Sequence, residues 1–159
     1  MRKVLFAFGG LVLPALLFVI VTTACIIYVA VELNAESRAF VDDTVPAIAA
    51  SWQKEQLLSR AAPELGSAAR QTELTLLFQS LSRFGKLFEY QGAIGKAYLS
   101  YASPTIFAAY TAKAKFQNGE ALFEIWLLKR KGRWMIYDFH VDVPKGSANR
   151  NGDRPTLRS

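Results

Sequence analysis

At 159 residues the chain fits one ordinary domain, and its 52% apolar content is high for a soluble protein with 20% charged residues. The net charge of +6 does not mark a nucleic-acid binder. Arg2 and Lys3 head the chain, four basic residues lie in the tail, and Glu32 to Val143 keeps 13 basic against 12 acidic residues, without a concentrated basic face. One cysteine and one histidine exclude an intrachain disulfide and a zinc site of the usual His/Cys type, and no metal or cofactor is expected.

From Val4 to Val31 there are 28 consecutive residues without an acidic or basic side chain, where about 20 helical residues cross a hydrocarbon core. A cleavable secretory signal has an apolar stretch about half this long. A lipoprotein signal would use Cys25 in "TTAC", yet Thr22 stands where such signals usually carry Leu, and "IIYVAV" after Cys25 stays apolar. The favoured reading is an uncleaved anchor over roughly Gly10 to Val31, so that residues 1–34 form a cytoplasmic stub and a transmembrane helix. Arg2 and Lys3 precede it, whereas Glu32, Glu36, Asp42 and Asp43 follow it against a single Arg38. Positive residues stay on the cytoplasmic side. The remainder is therefore expected outside the cytoplasm, periplasmic in a Gram-negative cell.

Val41, Val45, Ile48 and Trp52 recur at helical spacing, which predicts an amphipathic helix over 35–52, continuing from the anchor and kinked by Pro46. A short helix is expected from Lys54 to Ala61. A third, carrying Leu74, Leu77, Phe78 and Leu81, runs over about 68–84 and ends near Gly85. Beyond Gly85 the period becomes two. A long strand over 86–101, bent at Gly92 and Gly95, precedes a turn at "SPT" (103–105), and strands follow over about 106–117, 120–130 and 133–143. Asn118-Gly119 marks the first hairpin, and "RKG" reads as a three-residue loop for the second. The domain is thus expected over 35–144, with a flexible basic tail over 145–159.

The turns imply a register. Pairing Gln117 with Glu120 sets Ala114 opposite Phe123, Ala112 opposite Ile125 and, on the other face, Lys113 opposite Glu124. Pairing Lys129 with Arg133 adds Met135, Tyr137 and Phe139 to the apolar face. Asp138, His140 and Asp142 then point the other way, onto a solvated surface of carboxylates and lysines. As a polar site the triplet is weak: residues at i, i+2 and i+4 of a strand stand about 6.6 to 7 Å apart, too far for all three to ligate one metal without a strong bend, and no nucleophile accompanies the imidazole. The same register turns Trp126, Leu128, Trp134 and Ile136 outward. These four are the candidate interface, for a second copy or another protein, because aromatic residues concentrate in interfaces.

The helix "FVDDTVPAIAASW", the "QNGE" hairpin and the ending "KGRWMIYDFHVDVP" together resemble the cystatin-like α+β roll of the nuclear transport factor superfamily, over roughly Phe40 to Val143, as found in small bacterial membrane-anchored proteins. The resemblance implies about three helices packed on a bent four-stranded antiparallel sheet. Enzymes of that superfamily, isomerases and dehydratases among them, keep an acid or base inside the cone of the roll. Here the expected lining of Tyr110, Phe116, Phe123, Ile125, Met135, Tyr137 and Phe139 supplies phenols but no carboxylate or imidazole. A non-catalytic binding or assembly module is the expectation. The alternatives are a small roll-fold enzyme, or an assembly factor similar in layout to the inner-membrane factor of type IV secretion systems.

Overall fold

The uncharged run and the amphipathic helix after it are one element. In the computed structural model, which describes residues 2–100 and 105–144, helix α1 runs unbroken over Arg2–Ser51 and contains both Pro14 and Pro46. The expected Ser103-Pro104 turn and the tail 145–159 lie outside the described residues. From Val12 to Val31 the large apolar side chains of α1 face open space, and this stretch is long and apolar enough to cross a membrane. Further along, Ser37, Val41, Thr44, Val45, Ile48 and Ala49 are buried. Their three- and four-residue spacing puts them on one helical face, so a single rod carries an exposed apolar half and a half that belongs to the core.

Trp52 ends the rod. Its backbone takes the left-handed conformation at φ 50°, and its indole Nε1 donates to the Gly85 carbonyl at 3.1 Å. Two further helices follow, α2 (Lys54–Leu58) and α3 (Ala68–Leu81), then a 3-10 turn at Ser82–Phe84. Four strands, β1 (Leu87–Leu99), β2 (Ile106–Phe116), β3 (Gly119–Arg130) and β4 (Arg133–Asp142), form one antiparallel sheet in the order β1-β2-β3-β4. The described residues are therefore α+β, with three helices and a four-stranded sheet. The helices cover one face of the sheet. Val41, Val45 and Ile48 of α1 and Phe78 of α3 join Phe116, Phe123, Ile125, Leu127 and Phe139 in one buried cluster.

Gly92 and Gly95 bend and tighten β1 for different reasons. The register with β2 slips between Tyr90 and Ala93, where Gly92 sits at φ 83°, a bulge of the kind glycine favours. Gly95 pairs in regular register with Tyr110, but a side chain there would come within 2.0 Å of the Ala109 carbonyl oxygen. The close approach of β2 requires glycine.

The first hairpin turns one step earlier than the sequence suggested. Gln117 and Asn118 form the turn, Phe116 pairs with Gly119, and Phe123 faces Ala112 rather than Ala114. Lys113 accordingly faces Leu122, and Thr111 faces Glu124. A slide of two residues leaves every side chain on its expected face. The chain entering β1 sets this position: the Phe84 and Lys86 carbonyls accept from the amides of Asn118 and Gln117 at 3.0 Å each.

The second hairpin differs by one residue, and there the consequence is larger. Lys131 and Gly132 both have positive φ, 52° and 77°, which makes a two-residue turn with Arg130 opposite Arg133. A one-residue slip reverses the faces. Trp134 and Ile136 therefore enter the core side, whereas Met135 and Tyr137 leave it, correcting both the expected lining and the expected outward group. A bulge then restores the alternation: Leu127 pairs with Ile136, but Trp126 pairs with Asp138. Beyond it Phe139 is buried, and His140 and Asp142 are exposed as the register implied.

Candidate functional site

Of the four residues expected to form an outward apolar group, Trp126 and Leu128 keep the outward face of β3, where Trp126 is exposed and Leu128 is covered. Trp126 is 44% exposed, while Leu128, Trp134 and Ile136 are buried. Leu128 lies between its cross-strand partners Phe107 and Met135. Ile136 is held at the β4 edge, where its amide donates to the Arg60 carbonyl at 2.9 Å and its carbonyl accepts from the Ala62 amide at 2.8 Å. Trp134 packs in the main cluster, with its indole Nε1 3.3 Å from Glu36 and the Lys129 ammonium 5.5 Å from its ring centroid. The Lys129 hydrogen bond, with a smaller contribution from Trp134, holds the Glu36 carboxyl below its usual range.

A different apolar surface takes the place of the expected one. On the face of the sheet away from the helices, Trp126 shares a shallow depression with Ile94 and Tyr98, floored by Gly95 and Ala109. Ile94 is 82% exposed. An aromatic row continues it across the strands: Tyr98 stacks on Phe107 at 6.2 Å, and Phe107 meets Tyr137 edge-on at 6.2 Å. Sequence reasoning missed Ile94 and Tyr98 because the bulge at Gly92 hides the face of β1, and it missed Tyr137 because of the one-residue turn difference. The alternation of Ile94, Lys96 and Tyr98 beyond the bulge was the available signal.

Of the polar triplet, Asp138 and His140 line one depression with Arg70 and Glu73 of α3, and Asp142 is not among its lining residues. Asp138 turns to α3 and accepts from Arg70 at 2.7 Å, an ion pair between two half-exposed side chains that raises the Arg70 pKa further, mainly through that hydrogen bond. His140 is exposed opposite Glu124, and Asp142 lies opposite Leu122 at the sheet corner. Among the described residues no three His, Cys, Asp or Glu side chains gather closely enough to hold a metal ion. His140→Ala is expected to change stability by less than about 0.5 kcal/mol, as for an ordinary surface position. Denaturant titration checks this, and a shift beyond about 1 kcal/mol would contradict it.

Of the two buried hydroxyl side chains, Ser37 is tied to the α1 backbone and to Tyr110, whereas Thr44 Oγ1 has no hydrogen-bond partner among the described residues. Ser37 Oγ donates to the Leu33 carbonyl at 2.7 Å and lies 2.8 Å from the Tyr110 hydroxyl. Tyr90 donates to Asp42 at 2.7 Å; burial, followed by this bond, drives its pKa upward. The buried polar side chains among the described residues are Ser37 and Thr44, neither of which titrates near neutral pH. Comparison with family models, with curated proteins and with solved structures finds no match to this chain.

Proposed function

We propose that this chain is a single-pass, membrane-anchored binding or assembly module, non-catalytic, with its domain outside the cytoplasm and, in a Gram-negative cell, in the periplasm at the inner membrane. Its domain is read as a cystatin-like roll of the nuclear transport factor type. The observation that carries the reading is the continuity of α1, whose exposed apolar half leads without a break into the half packed in the core. A rigid mount of this kind holds a surface at a set distance from the bilayer. The face presented would be the one bearing Ile94, Tyr98 and Trp126, a group of exposed apolar side chains of the kind that marks an interaction surface. A core whose buried polar groups are hydroxyls, one of them engaged with Tyr110 and the α1 backbone, favours binding over acid-base chemistry.

The topology is tested by a reporter fused after Ser159 that is active only when exported. Activity is expected, together with an intact mass that retains residues 1–34. A silent reporter with a cytoplasmic one active, or a chain shortened before Cys25 or Glu32, would contradict the anchor and its orientation.

A further inference from the structure

We propose that the end of the sheet beside the exit of α1 is a membrane-docking surface for the anionic phospholipid headgroups of the bilayer that α1 crosses. The inference rests on reading α1 as a span. Three observations carry it beyond that reading.

The first is where the strands end. Leu99, Ile106, Lys129 and Trp134 pair in one row across all four strands, so the last residue of β1, the first of β2 and the Lys131-Gly132 turn lie at the same end of the sheet. That is the end α1 passes. Leu99 and Tyr98 share an apolar groove with Cys25, Ile26 and Val29. Asn34 Oδ1 accepts from the Ala97 amide at 2.6 Å, and Glu36 pairs with Lys129. The second is depth. From Glu36 back to Val31 is about 7.5 Å along the helix, and from Lys129 out to Lys131 is about 6.6 Å along the strand. The turn therefore reaches roughly the level of Val31, where the uncharged run of α1 ends, and Leu99, 66% exposed, stands beside helix residues inside that run.

The third is charge. "KRKGR" at 129–133 is the local basic cluster of the folded domain. Lys129 is neutralised by Glu36, and Arg130 by Glu64 at 2.8 Å. Lys131 and Arg133 are exposed and form no ion pair among the described residues. Glu32 is exposed one turn back from Glu36 on α1, a carboxylate at the same end of the domain. Two free cations at the headgroup level, with an apolar side chain beside the span, suit an anionic lipid surface.

The test uses the full chain in phosphatidylcholine vesicles with and without phosphatidylglycerol. Single cysteines replace Leu99, Phe88 or Val21 on a Cys25→Ser background. Each carries an environment-sensitive fluorophore, quenched by spin-labelled lipid. Phe88, 84% exposed, lies at the far end of β1, roughly 35 Å from Leu99 along the strand. Quenching is expected at Val21 and Leu99 and not at Phe88. Lys131→Gln with Arg133→Gln should lower the docked-to-undocked ratio about fivefold per cation removed. Quenching at Val21 but not at Leu99 overturns the docking surface while the span stands. Quenching at Leu99 that is indifferent to phosphatidylglycerol and to both substitutions overturns its assignment to anionic headgroups. Loss of quenching at Val21 itself removes the span on which the inference rests.

Discussion

Phe123→Ala is expected to lower the stability of the domain by about 3–5 kcal/mol, the range for removing a large aromatic side chain from a packed core. Phe123 is fully buried at the meeting point of three rings: Trp52 at 6.4 Å, Phe116 at 6.3 Å and Phe139 at 5.9 Å between centroids. These come from the end of α1 and from β2 and β4, so no single element can shift to fill the space without disturbing the others. The rigidity that makes the core well packed also makes the cavity persist. Denaturant titration of the full chain in detergent micelles, followed by tryptophan fluorescence, reads the change directly. A loss under about 1 kcal/mol would mean that α1 is not seated on the sheet as described.

The second large effect separates two tryptophans of similar sequence surroundings. Trp134→Glu is expected to unfold the domain, because it inserts a carboxylate beside Glu36 in a site where burial removes its hydration, and it removes the indole from the cluster. Trp126→Glu leaves helix and strand content unchanged, since Trp126 is 44% exposed on the open face. Circular dichroism of the two variants distinguishes them. Unfolding by Trp126→Glu with tolerance at Trp134 would invert the β4 register given by the Lys131-Gly132 turn.

That pair also shows how far the sequence can be read. Hydrophobic period alone located the apolar run, the helical face of Val41, Val45 and Ile48, and the change to period two after Gly85, because each depends on spacing within one segment. The face of a strand depends on its turn. At Asn118 an error of two residues in pairing was harmless, whereas at Lys131 an error of one exchanged Trp134 and Ile136 with Met135 and Tyr137. A lysine at φ 52° carries little local signal, since the left-handed conformation is one that glycine, asparagine and aspartate adopt more readily. The bulge opposite Trp126 then returns His140 and Asp142 to the exposed side that the register implied, whereas Asp138 turns to Arg70 of α3. The open-face group of Ile94, Tyr98 and Trp126 arises from pairing across β1, β2 and β3. No single stretch of sequence contains it.

The claim that the open face binds a protein in the membrane is tested most directly by placing a photo-crosslinking amino acid at Trp126 in the full chain, with Gln56 on the opposite, helix-covered side as the control position. Irradiation of intact membranes is expected to give a discrete higher-mass adduct from position 126, lost when Ile94→Asp places a charge in the same depression, and no such adduct from position 56. Only uncrosslinked chain from position 126, or the same adducts from both positions, would contradict it.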